Sequence, residues 1–276
     1  LLGEDENINE ETVLYIPLQF WFCRNPGLSI PIIALQYHEI KLVLETRPLS
    51  QLVVRPETEH NRVMKTVHDY SGKPTISGNF WVDYIYLDAD ERRRFAQISH
   101  EYLIEQVQTV GTNSADLINI SGETTIKQKL NFNHPVKELV WTLSEEDDQL
   151  VDFDEFFSYG YSNSGYNGNS IYLKTAKLIL NGTDRVRERD EKYFRIVQPF
   201  QHHTKIPQNA NNVFMYSFSL KPEEHQPSGT CNFSRIDTAD LLLTLHSTKN
   251  LVLKVHAWNY NVLKIASGMA GLAFSN

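Results

Sequence analysis

Apolar and polar residues alternate with period two over several stretches of the chain. Ile126, Gln128, Leu130 and Phe132 share one face, and Lys127, Lys129, Asn131 and Asn133 take the other. Phe214, Tyr216, Phe218 and Leu220 line one side of 214–220, while Ser217 and Ser219 face away. Leu241, Leu243 and Leu245 oppose Thr244 and His246. Such alternation predicts strands half buried in an antiparallel sheet. Further strands are expected at 14–22, 32–44, 80–87, 102–109, 138–143, 171–180 and 251–263. A helix is predicted from a cap at Asp184 through Val197, with Pro199 stopping it, and a shorter one over 89–97. Asn25-Pro26-Gly27, Lys73-Pro74, Asn181-Gly182 and Pro227-Ser228-Gly229 read as turns. Long polar stretches occupy 45–79 and 144–170. The second is acidic at Glu145–Asp148 and then rich in Gly, Asn, Ser and Tyr. Loops of that length in a compact domain are functional or mobile.

The order of patterns repeats. V-L-Y-I-P-L-Q-F-W-F-C-R-N-P-G-L-S-I-P-I-I-A-L-Q-Y-H-E-I-K-L-V-L stands at 13–44, and F-W-V-D-Y-I-Y-L follows at 80–87. About two hundred residues on come V-F-M-Y-S-F-S-L at 213–220, N-F-S-R-I-D-T-A-D-L-L-L-T-L at 232–245 and L-V-L-K-V-H-A-W-N-Y-N-V-L at 251–263. A period this long indicates a duplicated domain rather than a solenoid of short repeats. Only twelve residues precede the first copy, so it is expected to lack its earlier strands, and the natural protein is expected to start further upstream.

Composition narrows the class. A hydrophobic content of 41%, with 13 Tyr and 14 Phe among 276 residues, supports a real core and favours sheet over helix. Many strands, few helices and long excursions suggest a jelly-roll sandwich, with 88–101 linking one sandwich to the next. The net charge of −8 and the lack of a basic block argue against nucleic-acid contact. Arg92, Arg93 and Arg94 adjoin Glu91 and read as a solvated helix end or interface. Cys23 and Cys231 give neither a disulfide framework nor metal-ligand spacing. No apolar run approaches the ~20 residues that span a bilayer as a helix.

The residues with reactive side chains do not assemble into a catalytic pattern, and no enzyme activity or cofactor is expected. Gly160-Tyr161-Ser162-Asn163-Ser164 lacks the second glycine of a nucleophile elbow. His202-His203 has no third ligand nearby in sequence and reads as a surface turn. Asp88-Ala89-Asp90-Glu91 lacks the glycine and distal glutamate of a calcium loop, and helix capping accounts for it better. Cys23 with His38 has no orienting group. Asn119 and Asn181 open possible glycosylation sequons, with Asn232 a poorer third. Tyr159, Tyr161 and Tyr166 could stack on sugars, which keeps a carbohydrate-binding or glycan-processing sandwich as the alternative.

Taken together, several motifs make the chain resemble the major capsid proteins of nucleocytoplasmic large DNA viruses, of the chlorella virus, mimivirus and iridovirus type. They are N-P-G-L-S-I-P-I-I-A-L-Q-Y-H-E-I-K-L at 25–42, W-V-D-Y-I-Y-L-D-A-D-E-R-R-R-F-A at 81–96, H-E-Y-L-I-E-Q-V-Q at 100–108 and L-N-F-N-H-P-V-K at 130–137. Q-P-S-G-T-C-N-F-S-R-I-D at 226–237 and N-Y-N-V-L-K-I-A-S-G-M-A-G-L-A-F at 259–274 complete the set. The resemblance implies an all-β double jelly roll, of which 1–87 would hold the closing strands of the first sandwich and 102–276 the second. It further implies a homotrimer with a pseudo-hexagonal outline, tiling an icosahedral shell assembled in the host cytoplasm. Its partners would be neighbouring capsomers and minor capsid proteins, with an internal membrane beneath the shell and no direct contact with the genome. A minor or penton-type capsid relative would share these motifs.

Overall fold

The computed structural model describes residues 13, 15–45, 55–58, 61–63, 77–111, 118, 122–145, 171–206, 212–247 and 250–274. For 55–58, 61–63, 145 and 247 it describes the backbone alone. The chain divides into two compact units. One comprises 1–39, 86–104 and 262–273, and the other 40–85, 105–261 and 274–276.

The strands are β1 (Arg55–Thr58), β2 (Asn61–Val63), β3 (His100–Gly111), β4 (Gly122–Lys129), β5 (Pro135–Glu145) and β6 (Leu173–Leu180). They continue with β7 (Thr183–Asp190), β8 (Val213–Ser217), β9 (Cys231–Asn232), β10 (Ala239–Ser247), β11 (Leu251–Ala266) and β12 (Met269–Leu272). β1 and β2 form a hairpin inside the polar stretch 45–79. The remaining strands build a four-stranded sheet in the order β4-β10-β6-β7 and a six-stranded one. The latter runs β12-β11-β5-β8, with β3 also on β11 and β9 also on β5.

In the larger unit the predicted alternation becomes the core. Leu241, Leu243 and Leu245 of β10 are buried, as are Leu130 and Phe132 after β4. From the other sheet come Leu139, Trp141 and Leu143 of β5, Phe214 of β8, and Leu251, Leu253 and Val255 of β11. Each such side chain contributes about 1.5–3 kcal/mol by leaving water. Trp141 is centred among rings, 5.2 Å from Phe194 and 6.0 Å from Phe214. This is the all-β, antiparallel sandwich expected for the second half of the chain.

Three expectations fail in instructive ways. First, 183–190 is not helical. Asn181 and Gly182 both adopt positive φ, 49° and 74°, which is the two-residue turn that right-twisted strands accept. β7 therefore folds back on β6, and the helical backbone begins only at 191. Second, Pro199 does not stop that helix. Tyr193–Val197 is a π-helical turn that runs into helix α2 (Gln198–His202). Proline lacks an N–H and crowds the carbonyl four residues back, so a wider turn lets the helix pass through. Third, strand β8 ends at Ser217. Leu220 is exposed, whereas Ser217 and Ser219, expected to face away into solvent, are buried. Gln198 Oε1 accepts from Ser217 N at 3.0 Å, so α2 covers that face.

The smaller unit has its own apolar cluster of Ala34, Leu35 and Ile265, with Ile30, Tyr102, Leu263 and Ala270 against it. Its N-terminal segment forms single 3-10 turns at Trp21–Cys23, Pro26–Leu28 and Ile32–Ala34. Asn25 Oδ1 accepts from Gly27 N at 2.9 Å, which makes the predicted turn. Helix α1 (Ala89–Gln97) lies where a short helix is predicted. Ser267 and Gly268 turn β11 into β12 with φ of 54° and 82°, and Tyr37 N donates to Gly268 O at 2.9 Å. The strands expected at 14–22, 32–44 and 80–87 are not formed among the described residues. A strand needs a hydrogen-bonded neighbour as well as an alternating pattern, and no ladder reaches these segments.

Candidate functional site

Two features stand out: a buried polar network within the larger unit, and a run of uncovered apolar side chains. The network starts at a bulge. β11 pairs Trp258 with Glu138 and Asn259 with Val136, so Lys137 is an extra residue on β5. The bulge turns Lys137 inward. Its side chain is 2% exposed and its Nζ lies 2.9 Å from Glu105 Oε1 on β3, itself 4% exposed. The same ammonium donates to Pro222 O at 2.7 Å and sits 5.5 Å from the centre of the Tyr260 ring. Lys137 O in turn accepts from the backbone N–H of Phe218 and Ser219.

The next residue, Glu138, extends the network to the end of α2. Its Oε2 lies 2.8 Å from His203 Nε2, and His203 Nδ1 is 3.5 Å from Glu223 Oε1. The hydrogen bond with Glu138 raises the His203 pKa above the ordinary imidazole value of 6.5, against the opposing effects of burial and Lys137. Burial acts to raise Glu223, but the hydrogen bonds from Thr204 together with His203 and Lys205 prevail and lower it. A ladder of amides ties β3 to its surroundings beside this network. Gln108 Nε2 reaches Asn259 Oδ1 at 2.9 Å, and Asn261 Nδ2 reaches Gln106 Oε1 at 3.0 Å.

The uncovered apolar run is 80–86. Trp81 is 87% exposed and Tyr86 91%, with Val82, Tyr84 and Ile85 also in solvent. Val13, Tyr15, Tyr37, Val43 and Leu44 are exposed as well. Core-forming side chains left in water on this scale mark surfaces that another chain segment or subunit covers.

The residues singled out in sequence separate. Asp88 caps α1 through Glu91 N at 2.9 Å, which is the capping role expected of it. Arg93 lies within 3.5 Å of Asp90 on the exposed face of that helix. Among the described residues no contact joins Cys23 to His38, and no three or more of His, Cys, Asp and Glu gather as a metal site. His202-His203 is not a surface turn. His202 Nδ1 lies 3.0 Å from Leu220 O, and the half-buried His203 belongs to the polar network through Glu138. Asn181 is exposed, and its Oδ1 accepts from Asp237 N and Thr238 N, so the side chain braces the turn. Asn232 likewise accepts from Ser234 N. Asn119, residues 160–164, Tyr159, Tyr161 and Tyr166 lie outside the described residues. Sequence reasoning missed Glu105, Lys137 and Glu138. The one signal for the latter two was a lysine and a glutamate interrupting the apolar run from Val136 to Trp141.

Residues 91–271 match the family model described as large eukaryotic DNA virus major capsid protein, and 2–88 match that of the major capsid protein N-terminus. The chain belongs to this major capsid protein family. It is 45% identical over 284 residues to the major capsid protein of Pyramimonas orientalis virus, covering 95% of this chain and 61% of that one. It is 38% identical over 324 residues to the major capsid protein of Paramecium bursaria Chlorella virus 1, covering 99% and 69%. The chain thus spans between 61% and 69% of the length of these capsid relatives. Among solved structures, the PBCV-1 VP54 crystal structure fitted into a reconstruction of the virophage Sputnik aligns with a TM-score of 0.69. Its identity is 34%, and the alignment covers 98% of this chain and 74% of that one.

Proposed function

We propose that the chain is part of a major capsid subunit that builds the icosahedral shell of a large DNA virus. The observation that carries this reading is the whole-chain match to the PBCV-1 virus capsid model, at TM-score 0.68 and 34% identity over 98% of this chain. The role is structural rather than catalytic: sandwich cores give rigid walls, and loops and apolar surfaces give contacts between subunits. The subunit is a homotrimer with a pseudo-hexagonal outline, flanked by neighbouring capsomers and minor capsid proteins. It resides in the virion and is assembled in the host cytoplasm. An internal membrane lies beneath the shell, and the net charge of −8 suits a wall that does not touch the genome.

Within that subunit, 1–87 belong to the closing part of a first jelly roll, with 88–101 a link and 102–276 the second. The two family models meet between residues 88 and 91, which supports this division. The exposed side chains of 80–86 fit a face that earlier strands of the first roll would cover.

The test is the solution mass of the full-length protein by native mass spectrometry. A mass three times that of one chain, stable on dilution to about micromolar, is the expected result for an obligate interface of more than ~2,000 Å². A full-length protein that remains monomeric at high concentration overturns the reading.

A further inference from the structure

The segment 218–229, between β8 and β9, is held by two kinds of tether. Its ends are fixed by groups that keep their charge state across the accessible pH range. Phe218 N and Ser219 N donate to Lys137 O, and Ser219 and Ser228 join through their hydroxyls at 2.6 Å. Its middle is held in part by Ser228, whose hydroxyl accepts from Lys221 N at 2.9 Å, and in part by contacts of charged and imidazole side chains. Glu223 accepts from Thr204 N at 2.8 Å and faces His203 Nδ1 at 3.5 Å, while His203 Nε2 holds Glu138 at 2.8 Å. His202 Nδ1 meets Leu220 O, and Lys137 Nζ meets Pro222 O.

We propose that the middle of this segment, 220–225, is a pH-sensitive latch, closed while a protonated His203 bridges Glu138 of β5 and Glu223, and released when that charge is lost. Both ring nitrogens of His203 face carboxylate oxygens. An imidazolium donates on both sides, whereas the neutral ring donates on one and meets the other carboxylate with a lone pair. The charged groups around it are Glu138 and Lys137 on β5, Glu223 on the segment, His202 on α2 and Lys205 just beyond α2. Of these, Glu138 and Glu223 favour the protonated ring and Lys137 opposes it.

The direction of the pH effect follows from the shifts. His203 is raised, so its contribution is fully present below 6.5 and lost as pH rises through its higher folded value. Glu223 is lowered, so its contribution is present above 4.5 and lost as pH falls through its lower folded value. The latch is closed between those limits and opens on the alkaline side. Opening removes the Pro222 carbonyl from Lys137 and admits water to the buried Lys137–Glu105 pair.

Hydrogen–deuterium exchange of the full-length protein in its native assembly tests this, with protection expressed relative to intrinsic rates. Between about pH 6 and about pH 9, spanning a raised imidazole, peptides covering 220–225 should lose protection by about tenfold, the lower range for a charge-assisted hydrogen bond. β10 peptides should not change. His203→Gln should abolish the difference between the two pH values. Unchanged protection in the wild type, or a drop that persists in His203→Gln, overturns the proposal. If that variant does not fold, the His203 ring is titrated by NMR in the wild type. A midpoint above 6.5 that coincides with the exchange transition supports the latch, and a midpoint at or below 6.5 overturns it.

Discussion

Lys137 is an ammonium that has left water almost completely, and the residues around it account for why it can. Glu105 supplies the opposite charge, Pro222 a carbonyl and Tyr260 a ring face. A buried pair of this kind adds little net stability, because desolvation offsets the attraction, but removing one member leaves a stranded charge. Lys137→Met is therefore expected to lower the unfolding free energy by about 3–5 kcal/mol, measured by denaturant titration. The double variant Lys137→Met with Glu105→Leu should recover most of that loss. A double variant as unstable as the single one would mean that the pair acts through something other than charge. Lys137 was also the least legible residue in the sequence. Period-two reading puts a lysine beside Val136 on the solvent face, and only the extra residue in the ladder reverses that.

At the scale of elements, turns were more legible than strands. Asn181-Gly182 was readable because two consecutive positive φ angles demand those residue types. β7 was not readable, because T-D-R-V-R-E-R-D carries a single core residue, Val186, as suits an edge strand guarded by charge. Pro199 misled in the opposite direction, since a π turn can carry a helix past a proline. The segments 14–22, 32–44 and 80–87 show the limit of pattern: alternation states which side chains share a face, but not whether a neighbouring strand is there to pair. The β11–β12 hairpin offers a direct test. Gly268 has φ of 82°, and a Cβ there would lie 2.5 Å from Tyr37 Cδ2. Gly268→Ala should cost about 1–2 kcal/mol from the left-handed backbone alone. Calorimetry should show a melting point lower by roughly 2–8 °C, given ~2–4 °C per kcal/mol for a domain of this size. An unchanged melting point would mean that the turn is not strained by a side chain.

For the molecule as a whole, the decisive property is the apolar surface it leaves uncovered. Trp81 and Tyr86 are almost fully in water in this chain of 276 residues. Such a chain on its own should associate with rising concentration and bind a hydrophobic dye. Light scattering should show a later onset for Trp81→Ser with Tyr86→Ser, with little change in unfolding midpoint because neither side chain is in a core. An onset unmoved by the pair would place the association elsewhere. Family membership was legible at this scale because the motifs occur in order along nearly the whole chain. The polar network of the larger unit was not, since its members lie far apart in sequence.

The bulge on β5 has a consequence for insertion and deletion. Val136 and Leu139 are both 0% exposed although they are three positions apart, an odd spacing that plain alternation forbids. Remove Lys137, and Val136, Glu138 and Leu139 fall into regular in–out–in order with every core residue still facing inward. The ladder itself has no need of residue 137. It reads as a single-residue insertion that a sheet tolerates, carrying one positive charge into the interior without disturbing the phase of its neighbours.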